Sequence, residues 1–206
     1  MSDFKTDEEQ AEDIKAWWKE NGTSVIAGIA LAIAALFGWD YWKKAQVETA
    51  ETAAGLFEQS QATTDLTQAA QHTQELQTKF ASTPYAALAS LESAKGYAEA
   101  GEYEPAVTAL RWVVDNSKET DLKEVAAVRL ARVLAVMGKH EEAMQLASKD
   151  YGPAYESLLE EVKGDIYVAQ NKPAEARKAY ERAILTNKSG SNDLIKMKLD
   201  NLGKGA

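Results

Sequence analysis

One uncharged and mostly apolar run constrains the fold of this chain more than any other feature. It comprises residues 21–39, NGTSVIAGIALAIAALFGW, with an acidic residue on each side. A helix rises 1.5 Å per residue, so the run is about 28 Å long, close to the ~30 Å hydrocarbon core of a bilayer. Its larger apolar side chains each favour insertion by about 0.3–0.6 kcal/mol. The run therefore predicts a transmembrane helix, for which we expect bounds of 21–42.

Aromatic residues stand at both ends of this run. Trp17 and Trp18 precede it, and Trp39, Tyr41 and Trp42 close it. Such rings prefer the two membrane–water interfaces, whereas the core helix of a soluble protein needs no paired clusters. A cleavable signal peptide is the other alternative, but it requires a positive region first, and the first 20 residues carry more acids than lysines. We expect the segment to be retained.

The charges beside the run give only a slight preference for one orientation. Three lysines precede the run and two follow it: Lys5, Lys15, Lys19, Lys43 and Lys44. Because lysine is enriched on the cytoplasmic side, this predicts a cytoplasmic acidic tail at 1–20 and an extracytoplasmic domain. The absence of cysteine suits an extracytoplasmic domain without disulfides, and equally a cytosolic one.

Composition limits what the rest of the chain does. A formal net charge of −9 argues against binding to nucleic acid or to anionic lipid. The acids are dispersed, which is typical of a solvated surface and not of an acidic interaction tail. His72 and His140 are the two histidines, and they provide no metal-ligand spacing. We therefore expect a protein that is not an enzyme and binds no cofactor or metal.

The remaining residues carry a repeated helical pattern. No long alternation of apolar and polar residues follows the span, so strands are not expected. Helical spacing in 43–83 predicts a stalk and a first helical pair. Within 84–190, three similar segments occur at a spacing that brackets the 34-residue tetratricopeptide period. The sequence thus predicts an all-α solenoid of three degenerate repeats, with a capping helix and tail at 191–206.

Each repeat has three positions whose residue type follows from helix geometry. The turn positions, which favour a left-handed backbone, are Gly101, Gly138 and Asn171. The helix crossings, where a small side chain lets the backbones approach, are Ala106, Ala143 and Ala176. The residues that fill the space between paired helices are Tyr97, Leu134 and Tyr167. The pattern is degenerate because the aromatic residue usual early in each repeat is replaced by Ser90, Ala127 and Glu160.

With these features in view, the chain resembles the ancillary SecYEG translocon subunit family of Gram-negative bacteria, also called the YfgM family. The resemblance covers essentially the whole chain. It rests on the acidic tail, the GWDYW end of the span, and the segments YAALASLESAKGYAEAGEYEPAV, LARVLAVMGKHEEA and KMKLDNLG. It implies a single-pass protein of the bacterial inner membrane, with its N-terminus in the cytoplasm and a periplasmic tetratricopeptide-like domain.

The resemblance also implies a function in protein translocation. The implied partners are the SecYEG translocon, a membrane-anchored periplasmic chaperone related to prolyl isomerases, and unfolded translocated proteins. The chain would then be a non-enzymatic adaptor or chaperone accessory. A membrane-anchored helical-repeat scaffold for envelope assembly or cytoplasmic regulation is the alternative function.

Two sets of residues are candidates for binding other proteins. The first helices of the repeats would line a concave groove with Leu88, Leu91, Lys95, Val125, Val128, Arg132, Leu158 and Asp165. Its apolar members suit the core equally well. Lys95 and Arg132 would hold a partner carboxylate, unless each is an ordinary surface charge that contributes little to stability. In the span, the pairs Gly28/Ala32 and Ala34/Gly38 permit close packing of another helix, or simply lower the hydrophobicity.

Overall fold

All regular elements within residues 7–188 and 190–203, which the computed structural model describes, are α-helices. The helices are α1 (Asp7–Ala62), α2 (Leu66–Lys79), α3 (Pro84–Glu99), α4 (Tyr103–Asn116), α5 (Thr120–Val136), α6 (His140–Ala147), α7 (Glu156–Ala169), α8 (Pro173–Thr186) and α9 (Asp193–Asn201). The predicted all-α class is confirmed. Lys5 and the rest of residues 1–6, residue 189 and residues 204–206 lie outside the described residues.

Helix α1 contains the apolar run. It is unbroken from Asp7 to Ala62, so the predicted tail is already helical from residue 7 onward. The chain divides into two compact units between Thr49 and Ala50, seven residues beyond the expected end of the span at residue 42. In the first unit, Leu31 is 72% exposed and Phe37 is 73% exposed. Among the described residues, α1 is the one helix long and apolar enough to cross a membrane.

The second unit is built from helix pairs. The pairs α3/α4, α5/α6 and α7/α8 occupy the segments in which the three repeats were predicted. One continuous core connects α3 through α7, with Leu110, Leu134 and Ile166 at its centre. Before it, the end of α1 and helix α2 pack on α3, where the rings of Phe57 and Tyr85 lie 5.9 Å apart.

Helix α9 covers the end of the last pair. Ile195 is 6% exposed and packs with Tyr180 and Ala183 of α8. The partly buried Leu199 and Leu202 adjoin the same cluster. A solenoid needs such a helix because its final repeat would otherwise expose an apolar face to water.

The three predicted turns share one backbone geometry. Gly101 has φ 78°, Gly138 has φ 76° and Asn171 has φ 56°, all in the left-handed region. After each turn, the next backbone N–H donates to the carbonyl five residues earlier, at 2.8–2.9 Å. Those carbonyls belong to Tyr97, Leu134 and Tyr167. This bond satisfies a carbonyl that the end of the first helix leaves free, so the turn prediction is confirmed.

The helix crossings are also confirmed. Ala106, Ala143 and Ala176 are all 0% exposed. Among the residues that were expected to fill the space between paired helices, Leu134 is fully buried, while Tyr97 and Tyr167 are half-buried.

The three positions that lack the usual aromatic residue are buried nonetheless, with exposures of 0%, 1% and 8% for Ser90, Ala127 and Glu160. The Ser90 hydroxyl donates to the Ala86 carbonyl at 2.7 Å and accepts from Gln77 at 2.8 Å. Glu160 accepts a hydrogen bond from Lys163 at 2.7 Å. The polar groups that replace a ring are therefore paired close by, as burial requires.

We expect Ala143→Leu or Ala176→Leu to destabilise the protein by about 1–3 kcal/mol, because a larger side chain at a filled crossing forces the helices apart. Ala174→Leu, on the exposed face of α8, is the matched control and should change little. The measurement is thermal unfolding of the full-length chain in detergent micelles by circular dichroism. Equal melting temperatures for crossing and control variants would contradict the proposed tight crossings.

Candidate protein-binding groove

The apolar residues predicted for the groove divide by burial. Leu91 is 5% exposed and Val128 is 4% exposed, and both belong to the main core. The expectation that these two line an open groove is therefore wrong, because packing against neighbouring helices already covers them. Leu88 and Val125 are half-buried, and Leu158 is 37% exposed.

Arg132 is not the isolated surface charge that the sequence allowed. Its Nη2 lies 2.8 Å from Oε2 of Glu161 on α7. Glu161 is only 7% exposed, and its other oxygen accepts a hydrogen bond from Lys198 of α9 at 2.8 Å. Removing a charge from such a site costs more than removing an exposed one, because it leaves a nearly buried partner without compensation. We therefore expect loss of the Arg132 charge to destabilise the domain more than loss of an ordinary surface charge does.

Asp165 is likewise engaged inside the protein. Its two carboxylate oxygens accept hydrogen bonds from Lys198 Nζ at 2.8 and 2.7 Å, and Oδ1 also accepts from the Tyr180 hydroxyl at 2.7 Å. We refer to Arg132, Glu161, Asp165 and Lys198 as the ion network. It joins α5, α7 and α9, and Tyr180 connects it to α8.

The ion network shifts the titration of two of the groups involved. Burial raises the pKa of Tyr180, and the hydrogen bond to Asp165 and that carboxylate's charge raise it further. Burial by itself would lower the pKa of Lys198, but the hydrogen bonds to Asp165 and Glu161 and their charges outweigh it and raise the pKa. Both groups therefore keep their protons at neutral pH, so the hydrogen bonds from the Tyr180 hydroxyl and from Lys198 to the carboxylates persist there.

Packing beneath Tyr180 requires a glycine. A Cβ built on Gly164 of α7 would overlap the Tyr180 ring. The hydroxyl of this ring donates a hydrogen bond to Asp165, one residue further along the same helix. The glycine thus permits both the α7/α8 contact and the hydrogen bond.

Lys95 has surroundings of a different kind. It lines a cavity of about 430 Å³ between α3, α4 and α5, together with Ala94, Ala98, Glu99, Leu110, Arg129, Arg132 and Val133. We call this site the cationic cleft. Sequence reasoning missed Arg129, although it precedes Arg132 by three residues on one helix and so shares its face.

Leu158 lines a second cavity. It has a volume of about 590 Å³, and Pro153, Glu161, Leu194 and Ile195 contribute to its walls. Leu194 is 54% exposed, which leaves apolar surface open to solvent here. Glu161 borders this cavity and contacts Arg132 of the cationic cleft, so the two sites share one ion pair.

The small residues of the span lie on open surface in the first unit. A Cβ added at Gly28 or at Gly38 would meet no heavy atom within 4 Å, among atoms outside the local helix. Ala32 and Ala34 are exposed as well. Both small faces are therefore accessible to another helix.

Comparison with known proteins gives matches over nearly the whole chain. The model of the tetratricopeptide repeat-like domain family matches residues 15–204. A protein of Neisseria gonorrhoeae named "Ancillary SecYEG translocon subunit" is 30% identical over 98% of this chain and 100% of its own length. Proteins of the same name from Aggregatibacter actinomycetemcomitans and Escherichia coli are 30% and 27% identical over 95% and 98% of this chain, and over 97% and 99% of their own lengths. No solved structure matches the chain.

We predict that Lys198→Met lowers the stability of the protein by about 1–3 kcal/mol, because it leaves Glu161 and Asp165 close together without their shared cation. Lys196→Met, at an exposed position of the same helix, is the control and should have little effect. Thermal melting of full-length variants in detergent micelles measures both effects. The ion network would not stabilise the fold if Lys198→Met melted at the same temperature as Lys196→Met.

Proposed function

Since this chain belongs to the ancillary SecYEG translocon subunit family, we propose that it is a membrane-anchored accessory subunit of the SecYEG translocon. The observation that carries this proposal is the similarity to proteins of that name over nearly the full length of both chains. The similarity includes the apolar helix as well as the repeats, and a tetratricopeptide repeat-like family model covers both. This shared organisation supports a function that needs both a membrane anchor and a binding domain.

In this proposal, α1 crosses the bacterial inner membrane and the repeat domain lies in the periplasm. The apolar side chains that α1 exposes in the first unit support the membrane location. Anchoring in the membrane that contains the translocon raises the effective concentration of the domain near emerging polypeptides. Weak contacts with the domain then suffice for binding, because the anchor already holds the domain close to its ligands.

The domain acts by binding proteins and not by catalysis. We propose two classes of partner besides the translocon: a membrane-anchored periplasmic chaperone related to prolyl isomerases, and unfolded proteins that emerge from translocation. Support comes from the cationic cleft and from the cavity lined by Leu158, each of which combines apolar and charged side chains. The Tyr180 hydroxyl and Lys198 donate their hydrogen bonds to carboxylates of the same chain.

The proposed topology predicts that protease added to spheroplasts removes the repeat domain and spares an N-terminal tag. An intact cytoplasmic marker protein in the same samples controls for lysis. The opposite pattern, with the tag cut and the repeat domain protected, would show that the domain lies in the cytoplasm. A cytoplasmic domain would favour the alternative function of a regulatory scaffold.

We expect SecY to co-purify with the tagged full-length chain from solubilised membranes, and Gly28→Leu combined with Gly38→Leu to reduce its recovery. Small residues spaced by four permit close helix packing in lipid, and leucine at these positions would prevent it. Ile33→Phe is the control, since position 33 lies about 120° around the helix from the centre of each small face.

Quantitative immunoblotting of SecY, normalised to the recovered chain, measures the effect. Equal recovery for all variants would mean that the glycines merely lower the hydrophobicity of the span. Complete absence of SecY from the wild-type sample would contradict the translocon proposal and favour a scaffold for envelope assembly.

A further inference from the structure

We propose that the cationic cleft binds a polypeptide segment in which an acidic side chain lies next to an apolar one. This inference rests on the proposed function only in taking the repeat domain to bind polypeptides. Three cations, Lys95, Arg129 and Arg132, line the cleft together with apolar side chains.

Two cations that are unpaired among the described residues line this cleft beside apolar side chains. Several other cations of the domain are neutralised, such as Arg111 by Glu142 and Lys139 by Glu104. Lys95 and Arg129 are exposed and make no ion pair with any residue of the described ranges. Their hydrogen-bond donors are therefore free for a ligand, and a carboxylate suits both ammonium and guanidinium groups.

The acids near the cleft leave it with a positive charge. Glu99 is the acidic residue of its lining. Arg132 is matched by Glu161, and the whole ion network of two cations and two carboxylates is neutral. Lys95 and Arg129 together exceed Glu99 by one positive charge, in a chain whose formal net charge is −9. A local positive charge in an otherwise acidic domain favours an anionic ligand by charge complementarity.

Arg132 is held in place beside these free cations. Its hydrogen bond to the nearly buried Glu161 involves Nη2, and the other nitrogen atoms of the guanidinium keep their N–H donors. The bond fixes the side chain before a ligand arrives, which lowers the entropy lost on binding. Glu161 is thus a positioning residue for this cleft.

The floor of the cleft accounts for the apolar part of the ligand. Ala94 is 3% exposed and Leu110 is 1% exposed, and Ala98 and Val133 complete this surface. The cavity of about 430 Å³ is at the small end of the range of ligand pockets, about 300–1,000 Å³. It accommodates a few side chains of a polypeptide. Nucleic acid and anionic membrane carry dense phosphate, which the acidic remainder of the domain repels.

Fluorescence anisotropy with a labelled peptide tests the proposal on the full-length chain in detergent micelles. The probe is GSELEFESG, and the matched control is GSQLQFQSG, which keeps the apolar residues and removes the charges. We expect the acidic peptide to bind about tenfold more tightly than the control, corresponding to charge-assisted hydrogen bonds at an exposed site. Its affinity should fall as salt is raised from about 50 to 300 mM, because ions screen exposed charges.

Two sets of variants assign the binding to the cleft. Lys95→Ala with Arg129→Ala should weaken the acidic peptide about tenfold without changing thermal melting, since neither side chain has an ion partner to lose. Lys178→Ala with Arg182→Ala, two exposed cations of α8, is the matched control and should bind as wild type does. Ala98→Phe should weaken both peptides, because a ring would fill the apolar floor.

Three results would overturn the proposal. They are equal affinity for the two peptides, unchanged affinity in the Lys95/Arg129 double variant, or no binding of the acidic peptide at all. Any of these obtained while SecY still co-purifies with the wild-type chain would remove the cleft assignment and leave the translocon proposal standing.

Discussion

The repeat domain depends on close approach of the two helices within each pair. Alanines at the crossings, all fully buried, allow that approach, and a left-handed residue at each turn directs the second helix back along the first. These two conditions are coupled, since the turn's hydrogen bond fixes where the second helix begins and so which residue meets the first helix. The main core and the cationic cleft lie between helices held at this spacing.

The C-terminal end of the domain achieves its packing in a different way. Here α7 contacts its neighbours through two carboxylates and not only through apolar side chains. Glu161 pairs with Arg132 of α5, and Asp165 pairs with Lys198 of α9. Lys198 of α9 neutralises them jointly, so the capping helix is attached by charge as well as by the apolar contact of Ile195. Buried ion pairs often contribute little net stability but have strict geometric requirements. The network therefore fixes the position of α9, and removing one member would leave a nearly buried charge without compensation.

Sequence reasoning succeeded where the determinants are local. The turn at Gly138 and the crossing at Ala143 lie within a few residues of each other, so residue type and spacing predict both. It failed where the partners are distant in sequence: Arg132 and Glu161 are 29 residues apart, and Glu161 and Lys198 are 37 apart. Helical periodicity also places Val128 on an inward face without deciding whether a neighbouring helix covers it. Burial in the assembled domain decided that.

Paired and unpaired cations have different consequences where they border the cationic cleft. Arg132 and Lys198 each satisfy a carboxylate of the same chain, so their charges are already committed to the fold. Lys95 and Arg129 have comparable chemistry but no such partner among the described residues, and they lie on an apolar floor at a cleft that Arg132 also borders. Binding requires donors that folding has left free, together with neighbours that hold them in place. The cationic cleft has free donors on Lys95 and Arg129, and it has Glu161 to hold Arg132 in place. Glu161 also binds Lys198, so the residue that positions Arg132 also helps to attach the last helix.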